Sequence, residues 1–522
     1  MKIIQTLLFL IVASLASAQK TRVAVADDVH IRQTADRAGR DQRRTAAGSL
    51  ADKVTGLPGQ PTADFDQYSG YINVAGDRAE KRFIFFWFVQ ATQAAREADR
   101  VRGSETPLTW WSNGGPGCSG LIGLMTEHGP WRPTVNGTGL EVNAYSFNQV
   151  SHMLYVEQPS GVGFSYSQNT TDYNVGDQQA ADDSYTLILE FLQMFPEYAQ
   201  APFWVTSESY GGHYAPELTL RIIQGNAEGS NAQINLQGMQ VGNAWTDAVA
   251  DNIGAVTDWY QHAMISNETF NAILSTCDFA NIGPEMEARV NPAECNKHLA
   301  TASTSMAGVN IYMITADLCA GAPPLNAAAY DRSLPPRNQG EALFRALGDR
   351  FSGIAQIAGG VSGLSQGPEG AVDPCINSWV KTYLNRADVQ TALHASPTAW
   401  SSCSSVVNYS RKDLLTSMLP VYKQIAQQGP NVRLLVFSGD LDAIVPTPGT
   451  RAWLEQLDMQ VTQPWRPWNA MGSNGQMQTG GWVTVYDALT FSTIRGAGHT
   501  CPSYEPARSL HLFTKFMRNE PL

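Results

Sequence analysis

Runs of apolar residues, each long enough for one strand, recur along the chain and are separated by polar or turn-forming segments. Eight of these runs predict strands, at 68–74, 82–89, 106–111, 152–156, 201–206, 233–241, 434–438 and 489–494. The segment 182–195 has apolar residues at helical spacing and ends at Pro196, which predicts a helix. Strands that alternate with helices indicate an α/β fold, in which helices flank a central, mostly parallel sheet.

The first 52 residues do not follow this pattern. Residues 1–18 contain Lys2, an apolar run at 3–12 and small residues at 16–18, which is the arrangement of a signal peptide, with a signal anchor as the alternative. Residues 19–52 mix Arg, Asp, Ala and Gln without a clear period. This composition indicates a leader or pro-segment, or alternatively a solvated helix. The folded domain is therefore predicted to span 53–522.

Residues from about 251 to 373 form a looser stretch within that domain. Gly, Pro and Ala are frequent there, and the helical runs are short. Three of the chain's seven cysteines fall inside it, Cys277, Cys295 and Cys319, and Cys375 lies at its exit. We interpret the stretch as a lid-like helical insertion stapled by disulfides. Spacing alone does not assign the pairs, because six paired cysteines allow 15 connectivities and the seventh is left over.

Composition excludes some classes of function. The formal net charge of −12 argues against a nucleic-acid partner, since phosphate binding needs a surplus of Lys and Arg. No run reaches the ~18 apolar residues of a membrane span, and no cofactor or metal is expected. Together with a signal peptide, the sequons at Asn136, Asn169, Asn267 and Asn408 predict a glycoprotein of the secretory pathway, either extracellular or vacuolar/lysosomal.

Ser209 follows the predicted strand 201–206 in the sequence Ser-Glu-Ser-Tyr-Gly. This is nearly the G-x-S-x-G nucleophile elbow of α/β-hydrolases, in which a tight strand-to-helix turn exposes a serine hydroxyl. The turn needs small residues two before and two after the serine, and Ser207 and Gly211 occupy these positions. An ordinary Ser/Gly turn is the alternative, which partners farther along the chain would exclude.

The chain supplies such partners in the order Ser…Asp…His of the α/β-hydrolases. Asp440 or Asp442 follows the strand at 434–438, and His499 follows the strand at 489–494. An imidazole must take the proton of the serine hydroxyl, and a carboxylate must orient the ring and stabilise the imidazolium. His213 lies one helical turn after Ser209 and is expected to point away from its hydroxyl. The glycine-rich loop at 113–119 is typical of the loop that donates one N–H to an oxyanion hole.

Four motifs in this order resemble the signatures of the serine carboxypeptidases. They are Asn113-Gly-Gly-Pro-Gly-Cys-Ser, Glu208-Ser-Tyr-Gly-Gly-His-Tyr, Gly439-Asp-Leu-Asp-Ala-Ile-Val-Pro and Gly496-Ala-Gly-His. The similarity extends from about Ala51 to the C-terminus. It implies an α/β-hydrolase fold with Asp442 as the acid of the triad, and an oxyanion hole made by the backbone N–H groups of Gly115 and Tyr210.

The resemblance also implies a site for the terminal carboxylate of the substrate. Asn113, Glu127 and Glu208 would bind it, with help from the backbone of Gly114. Two ionised glutamates would repel a carboxylate, so they must share protons, and binding is expected to improve in acid. Without the resemblance, Glu127 would be interpreted as a solvated loop residue.

By the same resemblance, three disulfides join Cys118 to Cys403, Cys277 to Cys295, and Cys319 to Cys375. Cys501 is then the odd thiol, two residues after the histidine of the triad. Its location leads to the hypothesis that mercurial or alkylating reagents inhibit the protein, with a buried inert thiol as the alternative.

Four residues depart from the family pattern, at three places in the chain. Ser207 stands in place of a glycine, and Gly120 in place of a serine. Thr500-Cys501 replaces an apolar pair after the histidine and is expected to alter the substrate pocket. We expect activity to survive, with the Cβ of Ser207 straining the elbow by about 1 kcal/mol.

The sequence thus predicts a serine carboxypeptidase that releases C-terminal amino acids from peptides and proteins through an acyl-enzyme on Ser209, best at acid pH. It would act as a monomer or homodimer. Two alternatives stay open. One is an acyltransferase with the same triad. The other is a non-catalytic homologue that stabilises a partner, although the presence of the triad and of Gly115 argues against it.

Overall fold

The computed structural model describes residues 53–76, 78–229, 231–284, 292–319, 373–472 and 475–522. The predicted signal peptide and leader lie outside these residues, as do 285–291 and 320–372 of the predicted insertion. Residues Val54–Leu522 form one compact unit.

Each of the eight predicted runs corresponds to one strand of the described residues, and seven further strands were not predicted. In chain order they are β1 (Gln67–Asn73), β2 (Arg82–Val89), β3 (Leu108–Ser112), β4 (Trp131–Pro133), β5 (Leu140–Val142), β6 (His152–Glu157), β7 (Tyr166–Ser167), β8 (Asn174–Val175), β9 (Phe203–Glu208), β10 (Leu236–Gly242), β11 (Asn408–Tyr409), β12 (Arg433–Gly439), β13 (Val461–Met471), β14 (Met477–Tyr486) and β15 (Leu489–Ile494).

Most of these strands form one mixed sheet, in the order β1-β2-β6-β3-β9-β10-β12-β15-β14-β13, with β7 beside β2. The strands from β6 to β15 in this order are parallel to one another. The two strands at each end are antiparallel to their neighbours. The predicted α/β-hydrolase fold with a mostly parallel central sheet is therefore confirmed.

The hairpin of β13 and β14 has no counterpart in the sequence analysis. Its outer strand contains Pro464 and Pro467, and most of its side chains are exposed. A strand at the edge of a sheet needs no buried face and tolerates proline, so the apolar alternation that reveals a strand is weak there.

The helices connect these strands. They are α1 (Gln93–Arg102), α2 (Asp177–Met194), α3 (Gly211–Glu228), α4 (Ala248–Gln261), α5 (Asn267–Thr276), α6 (Ala293–Ser305), α7 (Ile376–Leu384), α8 (Ala387–Ala392), α9 (Arg411–Leu414), α10 (Leu419–Gln428), α11 (Thr447–Gln456), α12 (Cys501–Tyr504) and α13 (Pro506–Met517). The predicted helix at 182–195 is α2, which begins five residues earlier because its first turn is polar and carries no apolar period.

Helices cover both faces of the sheet. On one face, Phe86 and Phe88 of β2 pack in a cluster that includes residues of α2, α3, α10 and α11. On the other face, Phe85 and Trp87 pack in a cluster that includes residues of α7, α8 and α13. Every residue of β2 is buried, which explains why its sequence is a continuous apolar run instead of an alternation.

The predicted insertion lies in the connection from β10 to β12. Helices α4, α5 and α6 form a small core of their own around Val256 and Trp259. The structure forms the three disulfides that the resemblance implies: Cys277–Cys295, Cys319–Cys375 and Cys118–Cys403.

Two surface properties bear on the predicted secretory location. Three of the sequon asparagines, Asn136, Asn267 and Asn408, are exposed, whereas Asn169 is half-buried and accepts hydrogen bonds from Thr171. Within the described ranges, no helix combines the length and the apolar character needed to cross a bilayer. Glycosylation remains a prediction.

Candidate active site

The carboxyl ends of the parallel strands bring the predicted catalytic residues to one edge of the sheet. Ser209 directly follows β9, Asp442 lies three residues after β12, and His499 lies five residues after β15. Neighbouring parallel strands end at the same edge, so residues hundreds of positions apart in sequence become neighbours there.

Ser209 sits in the strained turn expected of a nucleophile elbow. Its φ is +60°, in the left-handed region that non-glycine residues rarely adopt. Its N–H donates to the carbonyl of Gly242 (3.0 Å), and its own carbonyl accepts from the N–H groups of Gly212 and Trp245 (2.9 Å each). These bonds fix the turn between β9 and α3 and hold the half-buried serine at the end of the strand.

The two small-residue departures fit their surroundings. Ser207 is buried in β9, and its hydroxyl donates to the carbonyl of Ser112 (2.5 Å). A Cβ on Gly211 would overlap the Ser207 hydroxyl, so the serine is accommodated because Gly211 has no side chain. Gly120 lies against the carbonyl of Val156, which leaves no room for a side chain there. The positive φ lies at Ser209 and not at Ser207, so the backbone strain of the elbow does not arise from the departure.

Asp442 and His499 form a buried hydrogen-bonded pair. The Nδ1 of His499 lies 2.8 Å from Oδ2 of Asp442, and both side chains are almost completely buried. Asp442 also accepts from the backbone N–H groups of Ile444 (2.8 Å) and Val445 (3.1 Å). Asp440 instead accepts from the N–H of Gly496 (2.7 Å). Of the two aspartates left open by the strand pattern, Asp442 is the one that contacts the imidazole.

Asn243 is a member of this cluster that the sequence analysis missed. Its Nδ2 donates to Oδ2 of Asp442 (2.7 Å), while its Oδ1 accepts from the N–H of Gly439 (3.0 Å) and from Sγ of Cys501 (3.2 Å). Asn243 therefore bonds the same carboxylate oxygen of Asp442 that contacts His499, and it helps to fix the position of that carboxylate. The signal for it was its position immediately after the strand at 233–241, the same placement that singled out the other site residues.

The free thiol of Cys501 is buried, and burial raises its pKa well above the ordinary value. Because the thiolate is the reactive form, this environment favours the inert alternative over rapid attack by thiol reagents.

The glycine-rich loop packs directly against the elbow. A Cβ on Gly114 would overlap the backbone N of Tyr210, so only glycine permits this approach. Gly115 has φ +114°, which again requires glycine. The N–H of Cys118 donates to the carbonyl of Gly114 (3.0 Å), and the disulfide to Cys403 ties the loop to the segment before β11. The loop is thereby fixed beside the turn that carries the serine.

A buried cluster of two glutamates and an asparagine adjoins this loop. The Nδ2 of Asn113 donates to Oε1 of Glu208 (2.8 Å) and to Oε1 of Glu127 (3.1 Å). Glu127 ends the short π-helical turn Gly123–Glu127, and Glu208 is the last residue of β9. Trp111 Nε1 donates to Oδ1 of Asn113 (2.8 Å), which fixes the amide so that its NH₂ faces the glutamates.

Burial makes these glutamates hold protons. It raises the pKa of Glu127 from 4.5 to about 7, an effect that Asn113 partly opposes. Burial, together with the charge of Glu127, raises the pKa of Glu208 well above its ordinary value. Two acids in one dry site cannot both ionise at low cost, so the pair titrates as a unit. In acid the cluster is uncharged and can donate hydrogen bonds to an anion.

His213 lies in a separate buried network, consistent with the prediction that it points away from the Ser209 hydroxyl. It is completely buried, and its Nδ1 lies 2.9 Å from Oδ2 of Asp177. The hydroxyls of Tyr210 (3.0 Å) and Tyr409 (2.6 Å) donate to Oδ1 of the same aspartate. This network lies behind the elbow and braces Tyr210.

Comparison with known proteins identifies the family to which this chain belongs. The sequence model of the serine carboxypeptidase family matches residues 58–519. The chain belongs to the serine carboxypeptidase family. Members of the family in Arabidopsis thaliana align over most of their length. Serine carboxypeptidase-like 25 is 37% identical over 482 residues, covering 90% of this chain and 92% of that protein. Serine carboxypeptidase 24 is 36% identical over 479 residues, covering 90% and 93%.

A solved structure supports the same fold. Kex1(delta)p, a prohormone-processing carboxypeptidase from Saccharomyces cerevisiae, superposes with a TM-score of 0.68. The alignment covers 91% of this chain and 97% of that chain, at 18% identity. At this identity the likeness establishes the fold alone.

Proposed function

We propose that this protein is a serine carboxypeptidase that removes the C-terminal residue of peptides and proteins in acid. The observation that carries the proposal is the buried Asn113–Glu127–Glu208 cluster at the same edge of the sheet as Ser209 and the Asp442–His499 pair. Two buried, proton-sharing acids close to the nucleophile suit a substrate that presents a carboxylate at its end.

The cluster suits recognition of a chain end. With both glutamates protonated, the site offers their O–H groups to the substrate carboxylate, and charge repulsion is absent. The Asn113 amide orients both glutamates by donating to Oε1 of each, and its donors can turn to the carboxylate when it binds. A peptide that continued past the site would present no carboxylate, and the buried polar groups would lose their partner. Leaving such groups unsatisfied costs about 1–3 kcal/mol each, which favours cleavage at the terminal bond.

The remaining residues support acyl transfer through Ser209. With Nδ1 of His499 held by Asp442, Nε2 of the ring is the atom that takes the proton from the Ser209 hydroxyl. The Ser209 oxygen attacks the scissile carbonyl, and the N–H groups of Gly115 and Tyr210 stabilise the oxyanion. The imidazolium then protonates the leaving amine, which departs as the C-terminal amino acid. Water, activated by the same imidazole, hydrolyses the acyl-enzyme.

N-blocked dipeptides at pH 5 test the proposal. Each is offered as the free acid and as the matched C-terminal amide, with wild type and Ser209→Ala. Release of the terminal residue by wild type only, much faster from the acid than from the amide, is expected. Equal rates on both forms would overturn the role given to the glutamate cluster.

A fluorophosphonate probe separates the alternatives. If Ser209 is labelled but no terminal residue is released, the protein uses its acyl-enzyme for transfer to another acceptor. If folded wild type is not labelled, Ser209 is not an activated nucleophile and the proposal is wrong.

A further inference from the structure

A short segment of the connection between β10 and β12 contacts both the acid and the base of the candidate triad. The segment is Asn310–Ile314, which follows α6. Toward the acid, the carbonyl of Ile311 accepts from the N–H of Ala443 (2.9 Å), and the N–H of Ile314 donates to the carbonyl of Leu441 (3.1 Å). These two bonds bracket Asp442.

The same segment also contacts the base, His499, through Tyr312. The carbonyl of Tyr312 accepts from the backbone N–H of His499 (2.7 Å). The aromatic ring of Tyr312 meets the imidazole edge to face, with centroids 5.2 Å apart and an interplanar angle of 81°. A Cβ on Gly498 would overlap the Tyr312 carbonyl, so the segment lies directly on the loop that carries His499.

Four hydrogen bonds join the acid loop to the histidine loop directly. Two are backbone bonds, from Leu441 N to the carbonyl of Ala497 (2.9 Å) and from Asp440 N to the carbonyl of Ile494 (3.4 Å). The other two involve the aspartate side chains, with Gly496 N donating to Asp440 Oδ1 (2.7 Å) and His499 Nδ1 lying 2.8 Å from Asp442 Oδ2. The segment adds three backbone bonds. Ile311 and Ile314 each form one with the acid loop, and Tyr312 forms one with the histidine loop. The side chains of Ile311 and Ile314 pack in the apolar cluster that also contains Ala443, so the brace is anchored in the core formed by α4–α6.

We propose that Asn310–Ile314 aligns the triad and that Tyr312 is a positioning residue for His499. This inference rests on the proposed function of Ser209, Asp442 and His499. The fold positions acid and base on separate loops, so their alignment depends on the contacts that join those loops. A 1 Å misplacement of a catalytic group can cost about 100-fold in rate. The segment restricts the shift of both loops and the rotation of the ring.

The test compares variants by the rate at which a fluorophosphonate labels Ser209, a reaction that depends on His499 but not on recognition of a peptide. Tyr312→Ala removes the ring, and Tyr312→Phe retains it. Asn310→Ala removes the side-chain acceptor of the Tyr312 N–H (3.2 Å) and thereby loosens the turn. Tyr260→Ala is the matched control, because Tyr260 lies on α4 and stacks on Phe270 (4.4 Å), away from the triad.

We expect labelling to slow at least tenfold in Tyr312→Ala and Asn310→Ala, while Tyr312→Phe and Tyr260→Ala label at the wild-type rate. With blocked dipeptides, the loss should fall on kcat, with KM changed less than threefold. If Tyr312→Ala does not fold, Tyr312→Leu is the deciding variant.

Three results would overturn the inference. The first is wild-type labelling in both Tyr312→Ala and Asn310→Ala. The second is an equal loss in Tyr260→Ala, which would indicate general destabilisation. The third is a loss confined to KM that varies with the substrate side chain, which would assign Tyr312 to substrate binding. Failure of wild type to label is distinct from these, because it refutes the proposed function itself and removes the basis of the inference.

Discussion

Replacing Glu127 by glutamine should remove most of the pH dependence of substrate binding. Burial raises the pKa of Glu127 from 4.5 to about 7. This rise corresponds to about 3 kcal/mol in favour of the protonated form. Below pH 6 the wild-type cluster is uncharged and accepts the carboxylate of the substrate. Above pH 7 Glu127 ionises and repels it.

The expected size follows from this titration. A group with a pKa of about 7 is almost fully protonated at pH 6 and about one-tenth protonated at pH 8, so wild-type KM should rise about tenfold over this interval. In Glu127→Gln the amide stays neutral and still offers an N–H, so KM should change little from pH 6 to pH 8. The C-terminal amide of the same peptide is the control, because it carries no charge for Glu127 to repel.

Stability provides a second, substrate-free measurement. Between pH 4.5 and about 7 the native state holds a proton on Glu127 that the unfolded state has lost, so Glu127 makes the free energy of unfolding fall as the pH rises through this window. Urea unfolding of wild type and Glu127→Gln should show a steeper decline for wild type. A wild-type KM that stays constant from pH 6 to pH 8, or a variant that keeps the full wild-type dependence, would refute this reasoning.

Three further predictions concern the acid, the nucleophile and the thiol. Ser209→Ala should abolish fluorophosphonate labelling and reduce kcat by at least about 1,000-fold, with an unchanged circular-dichroism spectrum; residual labelling at another serine would contradict the assignment. Asn243→Ala should lower kcat about tenfold or more with KM unchanged, because Oδ2 of Asp442 loses a 2.7 Å donor. The control is Asn252→Ala, which replaces a buried asparagine of α4 and should affect stability only. Cys501 should resist iodoacetamide in the folded protein and react in urea, because burial raises its thiol pKa, and rapid modification with loss of activity in native buffer would restore the inhibition hypothesis.

Most of the sheet was predictable, because a strand buried on both faces contains a long apolar run. β2 and β9 satisfy this condition and were found. The elements that were not predicted also have a physical explanation. β13 has a largely exposed surface and escaped notice, and the polar first turn of α2 concealed where that helix begins.

Among the site residues, local chemistry identified Ser209 and His499, since each follows a strand in a turn of small residues. The strand pattern did not distinguish Asp440 from Asp442, because both follow the same strand. The family resemblance made that choice, and the contact with Nδ1 of His499 agrees with it.

The sequence by itself determined the local features: which segments are strands, where a tight turn carries a serine, and in what order acid and base follow. These depend on neighbours along the chain, through apolar periodicity and the backbone freedom of glycine. Only the tertiary structure decided which polar atoms share a dry site. The raised pKa of Glu127, the bond from Asn243 to Asp442 and the contact of Tyr312 with His499 all join residues that are distant in the chain. Their energies depend on burial and on separations of about 3–5 Å, which exist only once the parallel strands have aligned their carboxyl ends.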